Sequence, residues 1–414
     1  FSSYAPGDWI LCLDVAPEVD DVYNIAVGTD VGSIWRFQAG GYWSGSWKLV
    51  GGYDAGVAVY AGWDNSDVDG LNPTITTAAV TSIAFSPNFV ADATVLAVTV
   101  DDGDTFATYL QSSRWGNVKK WNELAGTAYP EAVEIVNAPS LLWDEDYYLV
   151  ADSTGIALPS DYDGRKSDYR YAWVYVDYND AALGDLGRIF QIHAGDVDYA
   201  GLPCDLTKFS PELASISAYG TAEDGMVMVG LMGDYDTGEP TAGCEGVKVY
   251  YTSLPIDTCC PRWTKSKKSP TGVARAIVAY TADGDKAYAV TSYDDWCDEG
   301  AFSVSEIEEV GRYWNQLSLI DTYIDYLSDF AVIPECWDYG TYYLASANLG
   351  NSYRGIFSES EVDGDCDSVW YSADWGEHYM RVWCGELTSD NSTNGDDTPE
   401  IGLLRLNLAE EQSE

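Results

Sequence analysis

Residues 81–121 contain four short β-strand patterns separated by turns, and this unit recurs along the chain. Within it, residues 93–100 form a nearly continuous run of apolar and β-branched side chains, which is typical of a strand buried on both faces. Turn sequences rich in Pro, Asn, Asp and Gly interrupt the pattern at 86–88 and 101–104. One such sheet cannot bury both of its faces alone, so copies of the unit must pack against one another.

Six copies of the unit can be recognised. They occupy residues 9–48, 80–121, 132–175, 213–264, 273–315 and 328–372. No amphipathic helix pattern of useful length separates them, which favours an all-β chain. Radial repetition of four-stranded sheets leaves only short, protected edges, so the sequence predicts a single β-propeller domain over residues 1–414.

The tail, residues 376–414, holds two further strand candidates at 380–387 and 401–408. They could form an incomplete seventh blade or a strand that closes the ring. Long loop insertions are expected at 51–79, 178–212 and 233–246. Long ordered insertions usually serve contacts or binding.

The chain is strongly acidic, with 67 acidic and 21 basic residues, a formal net charge of −46 and a pI near 4.1. Nucleic acids and anionic membrane surfaces are therefore poor partners, because both require a positive binding surface. Bound cations or a saline environment would relieve the self-repulsion of so acidic a chain. No apolar run approaches the roughly 20 residues of a membrane span, so we predict no membrane insertion.

The cysteines point to an oxidising compartment. None of the nine forms a CxxC pair, which argues against zinc-ribbon and thioredoxin-like sites. Eight lie after residue 200 in turn-rich sequence and are disulfide candidates: Cys204, Cys244, Cys259, Cys260, Cys297, Cys336, Cys366 and Cys384. Cys12 lies in an apolar strand pattern and is expected to be a buried, unpaired thiol. Because Phe1 is not a translated start, we also expect that an N-terminal leader was removed or left out, which fits a secreted, extracellular or cell-surface protein.

One phrase carries a family resemblance: Ser86-Pro87-Asn88-Phe89, followed by Asp92 and by Val95-Leu96-Ala97. It resembles the repeats of Asp-box (BNR) propellers of the sialidase and sortilin type, and is similar to secreted bacterial surface proteins in which Ser-Pro-Asn-Phe recurs. Three segments match the Asp-box pattern S-x-D-x-G-x-T-W incompletely, because the aspartate is missing from its place in each. Their matching residues are Ser112, Gly116 and Trp121; Ser160, Gly164 and Trp173; and Ser360, Gly364 and Trp370. The resemblance covers residues 9–375 and implies a propeller fold.

Sialidase-like catalysis would require an arginine triad, a Tyr–Glu nucleophile pair and an acidic Asp. The Arg-Ile-Pro signature of that family is absent, and a chain this acidic supplies paired carboxylates anywhere. His193 and His378 lie far apart in the sequence and neither accompanies a nucleophile motif. The sequence therefore predicts a protein without catalytic activity.

Two loops have the spacing of oxygen ligands for Ca²⁺. The first contains Asn65, Asp67 and Asp69 with Gly70, and the second contains Glu359, Glu361, Asp363 and Asp367 with Gly364. Alternate oxygen ligands followed by Gly allow a tight turn to aim several side chains at one ion. A poorer match is formed by Asp390, Ser392 and Asn394 with Gly395. Structural Ca²⁺ is therefore predicted as a cofactor, although the same residue types also form ordinary turns.

A short basic run interrupts the acidic chain. It contains Arg262, Lys265, Lys267 and Lys268. The run could be a solvated loop, or it could dock on an acidic face of a neighbouring copy and so propagate a sheet or filament. Asn391 opens an N-glycosylation sequon on a polar loop.

These features favour a non-catalytic, cell-surface structural protein that assembles with copies of itself into a surface layer, sheath or filament. One alternative is an extracellular carbohydrate- or protein-binding propeller, in which exposed aromatic side chains near the turns contact the ligand. Its candidate contact residues are Trp43, Trp63, Trp115 and Trp375. A further alternative is a sialidase-like glycoside hydrolase.

Overall fold

The computed structural model describes most of the repeat cores. The described residues are 10–19, 22–30, 32–40, 47–51, 78–101, 107–114, 133–137, 150–179, 186–193, 196–199, 213–232, 247–254, 261–272, 275–291, 300–306, 310–320, 326–332, 342–347, 367–372 and 379–385. They are almost entirely β-strand, with one helical turn, α1 (Phe89–Asp92), and a 3₁₀ turn at Ser167–Tyr169. Within these ranges no helix is long and apolar enough to cross a membrane.

The described strands form six four-stranded sheets. The first sheet contains β1 (Ile10–Val15), β2 (Val22–Thr29), β3 (Ile34–Gly40) and β4 (Lys48–Gly51), and the second contains β5 (Ala78–Phe85), β6 (Thr94–Asp101), β7 (Ala107–Arg114) and β8 (Val133–Asn137). The third contains β9 (Val150–Ala157), β10 (Tyr171–Asn179), β11 (Leu186–His193) and β12 (Asp196–Tyr199), and the fourth contains β13 (Leu213–Gly220), β14 (Gly225–Leu231), β15 (Val249–Ser253) and β16 (Thr264–Lys265). The fifth contains β17 (Ala276–Tyr280), β18 (Ala287–Thr291), β19 (Gly300–Ser305) and β20 (Asn315–Ile320), and the sixth contains β21 (Tyr326–Val332), β22 (Tyr342–Ala347), β23 (Asp367–Ser372) and β24 (Met380–Gly385).

In each sheet the strands follow one another in chain order and pair antiparallel. The first strands of successive sheets contact one another, from β1 and β5 through β9, β13 and β17 to β21. Sheets that radiate from a row of adjacent first strands are the blades of a β-propeller. The predicted all-β propeller of four-stranded blades is confirmed, with six blades in the part of the chain that the structure describes.

The second strands hold the blades together because they are buried on both faces. In β6, Val95 and Ala97 pack in the cluster shared with the first sheet, whereas Leu96 and Val98 pack in the cluster shared with the third. The same alternation occurs in β10, β14 and β18. Side chains that point to opposite faces at every step explain why a continuous apolar run predicted this position.

The strand boundaries differ from the predicted units in three places. Residues 133–137 form β8, the fourth strand of the second blade, although the sequence pattern assigned them to the start of the third. The third blade consequently extends to Tyr199, into the predicted insertion at 178–212. Residues 380–385 form β24 of the sixth blade and not part of a seventh. Fourth strands are short and lie at the outer edge, so their weak apolar pattern is easily assigned to the wrong unit.

Each predicted unit has a tryptophan at or near its last residue, and in the described blades these tryptophans lie at different positions. Trp47, Trp263 and Trp314 each stand directly before a fourth strand. Trp173 instead lies in the second strand β10, and Trp370 lies in the third strand β23. Trp173 is buried in the cluster between the third and fourth blades, so it marks an interface between blades and not the end of one.

Candidate partner-binding surface

The predicted basic run includes the outer strand of the fourth blade, β16, and is hydrogen-bonded to the fifth blade. The backbone N–H of Lys267 donates to the carbonyl of Arg312 at 2.9 Å, and the N–H of Trp314 donates to the carbonyl of Lys268 at 3.2 Å. Lys268 and Tyr313 form an isolated parallel bridge. The run is therefore held by backbone hydrogen bonds on both sides and is not a freely solvated loop.

Buried polar contacts underlie this attachment. Trp314 is fully buried, and its indole N–H lies 3.1 Å from Ser266 Oγ and 3.2 Å from the carbonyl oxygen of Gly311. The hydroxyl of Ser266, also buried, donates to the same carbonyl. Gly311 has a φ of +94°, a conformation that other residue types rarely adopt. These contacts fix the backbone from which the basic side chains project.

The structure places all four predicted cations at the surface and adds a fifth. Arg262, Lys265, Lys267 and Lys268 are exposed, and Arg312 lies beside them with partial exposure. These five residues are called the basic surface below. The sequence did not predict Arg312, because only the pairing between residues 267–268 and 312–314 brings it to the run.

An aromatic ring lies within the basic surface. Tyr313 is half-buried, with Lys267 Nζ at 5.9 Å and the Arg312 guanidinium at 5.4 Å from its ring centroid. Such distances are typical of weak cation–π contacts, which hold flexible basic side chains in place. Lys268 Nζ donates to Asn315 Oδ1 at 3.2 Å. Tyr313 and Asn315 were not among the predicted site residues, and no local pattern distinguishes them.

Four of the five cations of the basic surface have no carboxylate partner among the described residues. No ion pair within the described residues involves Arg262, Lys265, Lys267 or Lys268. By contrast, Lys286 pairs with Glu306 at 3.2 Å, and Arg165 pairs with Asp163 at 3.1 Å. In a chain of net charge −46, cations without a carboxylate partner form a local positive field suited to an acidic ligand.

A second cationic cluster lies in the connection between β9 and β10, where it serves the fold. Asp163 is buried and bound by Arg165 and Lys166. Burial alone would raise the pKa of Asp163, but hydrogen bonds from Arg165 and Lys166 and the charge of Arg165 lower that pKa to about 2. Lys166 also lies over the exposed ring of Tyr169, 5.3 Å from its centroid. These cations are occupied by Asp163 and are less available to a ligand.

Acidic side chains gather at neighbouring turns of the fourth and fifth blades. Glu223, Asp224, Asp283 and Asp285 are exposed there, in the β13–β14 and β17–β18 turns. The ring of Tyr219 in β13 packs directly against Gly284 of the β17–β18 turn, so the two turns lie close together. Burial raises the pKa of Tyr219, and the charges of Asp224 and Asp285 raise it further. These four residues are called the acidic turns below.

The Ser-Pro-Asn-Phe phrase has a structural role. Ser86 Oγ accepts from the backbone N–H of Asn88 at 3.1 Å and donates to Asp92 Oδ2 at 2.7 Å. Phe89 is buried and packs edge-on against Phe85 at 5.0 Å. The phrase therefore shapes the β5–β6 turn and α1.

Most of the predicted calcium ligands lie outside the described residues. Asn65, Asp67, Asp69, Glu359, Glu361 and Asp363 do so, as do the third loop and the glycosylation candidate Asn391. Asp367 is the first residue of β23. Within the described ranges, no three His, Cys, Asp or Glu side chains come close enough to hold a metal ion. Structural Ca²⁺ remains a prediction.

The predicted unpaired cysteine is free in the structure. Cys12 Sγ lies 3.3 Å from the carbonyl of Val80, and burial raises the pKa of the thiol well above its ordinary value. The residue as a whole is partly buried, with its thiol against the backbone of the second blade. Cys384 lies in β24, and the other seven disulfide candidates lie outside the described residues, which leaves the disulfides as predictions.

Of the other sequence candidates, only His193 lies within the described residues. His193, at the end of β11, stacks on Tyr171 with ring centroids 3.9 Å apart. His378 and the aromatic candidates Trp43, Trp63, Trp115 and Trp375 lie outside the described residues.

Comparisons with known proteins find solved structures whose overall shape resembles that of this chain. No family model matches the chain. No curated protein sequence matches it. Among solved structures, the α-L-arabinofuranosidase Arb93A of Fusarium graminearum shares 11% identity over 90% of this chain and 93% of its own, with a TM-score of 0.47.

Two lectins are similar to the same degree. The six-bladed, fucose-recognising lectin of Aleuria aurantia shares 9% identity over 92% of this chain and 96% of its own, with a TM-score of 0.44. The BP39L lectin of Burkholderia pseudomallei shares 12% identity over 90% of this chain and 84% of its own, with a TM-score of 0.47. Likenesses of this degree carry no argument about activity or ligand, and the Asp-box resemblance stays a prediction.

Proposed function

We propose that this protein is a binding propeller without catalytic activity, and that its basic surface holds a short carbohydrate bearing carboxylate groups. One observation carries the proposal: four exposed cations, Arg262, Lys265, Lys267 and Lys268, have no carboxylate partner among the described residues, although the chain has a net charge of −46. Backbone hydrogen bonds to the fifth blade hold the segment that carries them. Charge-assisted hydrogen bonds from Arg and Lys to carboxylates are among the stronger polar contacts. A secreted or extracellular location fits this role and remains a prediction.

The composition of the surface suits an acidic saccharide. Arg and Lys supply donors for its carboxylates, Asn315 is an exposed amide beside them, and Tyr313 adds a partly exposed apolar ring. The same surface is poorly suited to a long polyanion, because the acidic remainder of the chain would repel a ligand that extends beyond the cations. A short oligosaccharide of acidic sugars is therefore favoured.

A second candidate function is self-assembly, the structural role that the sequence predicts. The observation that favours it is charge complementarity, since one molecule presents both the basic surface and the acidic turns. A contact between these two different surfaces would be heterologous and could propagate into a filament or layer. The net charge of each copy opposes that contact, so we rank it second.

Isothermal titration calorimetry can test the proposal. Galacturonic acid oligomers, neutral oligosaccharides of equal length and an acidic peptide would be titrated into the intact protein. We expect heat only with the acidic oligosaccharide, and a loss of affinity of tenfold or more for the Lys267→Ala/Lys268→Ala variant. Lys48→Ala is the matched control, because Lys48 is exposed on β4 of the first blade.

Other results of these titrations would contradict the proposed site, and sedimentation would distinguish it from self-assembly. Binding of neutral and acidic sugars alike, or wild-type affinity in the double variant, would contradict the proposed site. Sedimentation velocity on the same samples addresses the second candidate: concentration-dependent assembly that the double variant loses would favour self-assembly over saccharide binding.

A further inference from the structure

The first strand of the fifth blade is preceded by an arginine that lacks a carboxylate partner. Arg275 stands directly before β17, and its backbone forms an isolated antiparallel bridge with Met232, which directly follows β14 of the fourth blade. The side chain is partly exposed, but its Nε atom is buried. Among the described residues, this Nε–H has no hydrogen-bond acceptor and Arg275 forms no ion pair.

Close packing between the fourth and fifth blades fixes the backbone that carries Arg275. Ser215 Oγ donates to the carbonyl of Ala276 at 2.9 Å and accepts from the N–H of Val278 at 3.0 Å. The same carbonyl would lie 2.0 Å from a Cβ atom on Gly230, so only glycine at that position allows β17 to approach this closely. Arg275 therefore extends from a backbone whose position its neighbours set.

The guanidinium of Arg275 reaches the hydroxyl of Tyr175, which lies in the third blade. Burial raises the pKa of Tyr175, whereas a hydrogen bond from Ser153 and the charge and hydrogen bond of Arg275 lower it. The hydroxyl lies 3.1 Å from Ser153 Oγ and donates to the carbonyl of Ala214 at 3.0 Å. Because a phenol has one hydrogen to donate, the hydroxyl presents only lone pairs to Arg275. It orients the guanidinium without neutralising its charge.

The carboxylate of Asp177 lies in the same region but is bound by the backbone of the fourth blade. Asp177 is buried, and its Oδ1 accepts from the N–H of Leu213 at 3.0 Å. Its charge raises the pKa of Tyr175, yet it forms no ion pair with Arg275. An anion that binds Arg275 must therefore approach the guanidinium from the side away from Asp177, since like charges repel.

Two other arginines show the usual way in which such a side chain is satisfied. Arg165 pairs with Asp163 at 3.1 Å, and Nε of the fully buried Arg170 donates to the carbonyl of Gly164 at 2.9 Å. Arg275 has neither kind of acceptor at its Nε–H within the part of the chain that the structure describes. A charge that is partly removed from water costs free energy unless an opposite charge or a set of hydrogen bonds compensates it.

We infer that a small oxyanion, a carboxylate or a phosphate group, binds Arg275 at the start of β17, beside the first strands of the third and fourth blades. The planar guanidinium offers donors in a fork that matches two oxygens of either group. Partial exposure of Arg275 leaves the site open to solvent. The site is distinct from the basic surface, because Arg275 precedes an inner strand whereas the basic surface includes the outer strand β16.

Isothermal titration calorimetry at constant ionic strength, with chloride as the background anion, tests the inference. Inorganic phosphate and acetate would be titrated separately into the intact protein, and the anion that binds identifies the chemistry of the ligand. We expect a single binding event with at least one of them, and an affinity lower by about tenfold or more in Arg275→Gln. Arg188→Gln is the matched control, because Arg188 is also partly exposed and pairs with Val176, on the sheet face opposite Tyr175.

The Lys267→Ala/Lys268→Ala variant separates this site from the basic surface. We expect it to keep the binding event, whatever the outcome of the saccharide titrations. Binding that this variant loses, that Arg275→Gln retains in full, or that neither anion shows would overturn the inference.

A spectroscopic measurement on the wild-type protein covers the case in which Arg275→Gln does not fold. The NMR signal of the Arg275 Nε–H group can be assigned by its absence from the spectrum of Arg275→Lys. We expect this signal to shift saturably on addition of the anion that binds. A signal that stays unchanged would contradict binding at Arg275.

Discussion

The backbone N–H of Gly164 donates a 2.8 Å hydrogen bond to Oδ2 of Asp92, which lies 72 residues earlier in the chain. Asp92 also accepts from Ser86 Oγ and from the N–H of Thr94, at 2.7 and 2.9 Å, and is completely buried. The carboxylate therefore ties the β5–β6 turn of the second blade to the β9–β10 connection of the third. It explains why the Ser-Pro-Asn-Phe phrase is followed by an aspartate at this distance.

Asp92→Ala should destabilise the protein. The substitution leaves buried donors on Gly164, Thr94 and Ser86 without their acceptor, at a cost of about 2–4 kcal/mol in the free energy of unfolding. Val90→Ala, two residues away and exposed at 65%, should change it by less than about 0.5 kcal/mol. Urea denaturation of both variants checks this, and equal midpoints would refute the role of Asp92.

Asp163 should contribute to stability in a pH-dependent way. Its folded pKa of about 2 lies below the ordinary value of 3.8, so its contribution is complete above about pH 4 and is lost as the pH falls towards 2. A shift of this size corresponds to about 2 kcal/mol. Asp163→Asn should therefore lower stability at pH 7 by about that amount, and the difference from wild type should shrink between pH 4 and 2.

The matched control is Asp168→Asn, because Asp168 is exposed in the same connection. Denaturation midpoints measured from pH 7 down to pH 2 give the comparison. A wild-type minus Asp163→Asn difference that stayed constant across this range would contradict the ion-pair account.

Trp314→Phe should weaken the support of the basic surface. The change removes the indole N–H that donates to Ser266 Oγ and the Gly311 carbonyl, and leaves a small cavity, at a cost of about 2 kcal/mol. Trp35→Phe is the control, because within the described part of the chain the buried Trp35 Nε1 has no hydrogen-bond partner. Chemical denaturation gives the loss in free energy of unfolding for each variant, and the difference between the two losses reports the contribution of the Trp314 hydrogen bonds. Equal losses would show that only the smaller ring matters.

The second strands were predictable from the sequence and the fourth strands were not. Burial on both faces forces a run such as residues 93–100 to be apolar throughout, so the run itself indicates the strand. β16 contains only Thr264 and Lys265, both exposed, and nothing local distinguishes them from a loop. Their pairing with Tyr250 and Tyr251 depends on contacts that form only in the folded blade.

The basic surface was likewise predictable from the sequence only in part. A run of four cations is visible in the sequence because its members are neighbours. Arg312 and Tyr313 join it only because the chain returns from β19 and pairs with Lys267 and Lys268. No composition or spacing pattern in the sequence indicates this tertiary contact, so this part of the surface could not have been predicted.

The proposed function depends on recognition of negative charge, and one measurement addresses it directly. Calorimetric affinities for a galacturonic acid oligomer and for its fully methyl-esterified form would be compared on the wild-type protein. We expect esterification to abolish binding, because it removes the carboxylates that Lys267, Lys268 and Arg312 would contact. Equal affinity for the two forms would contradict the account.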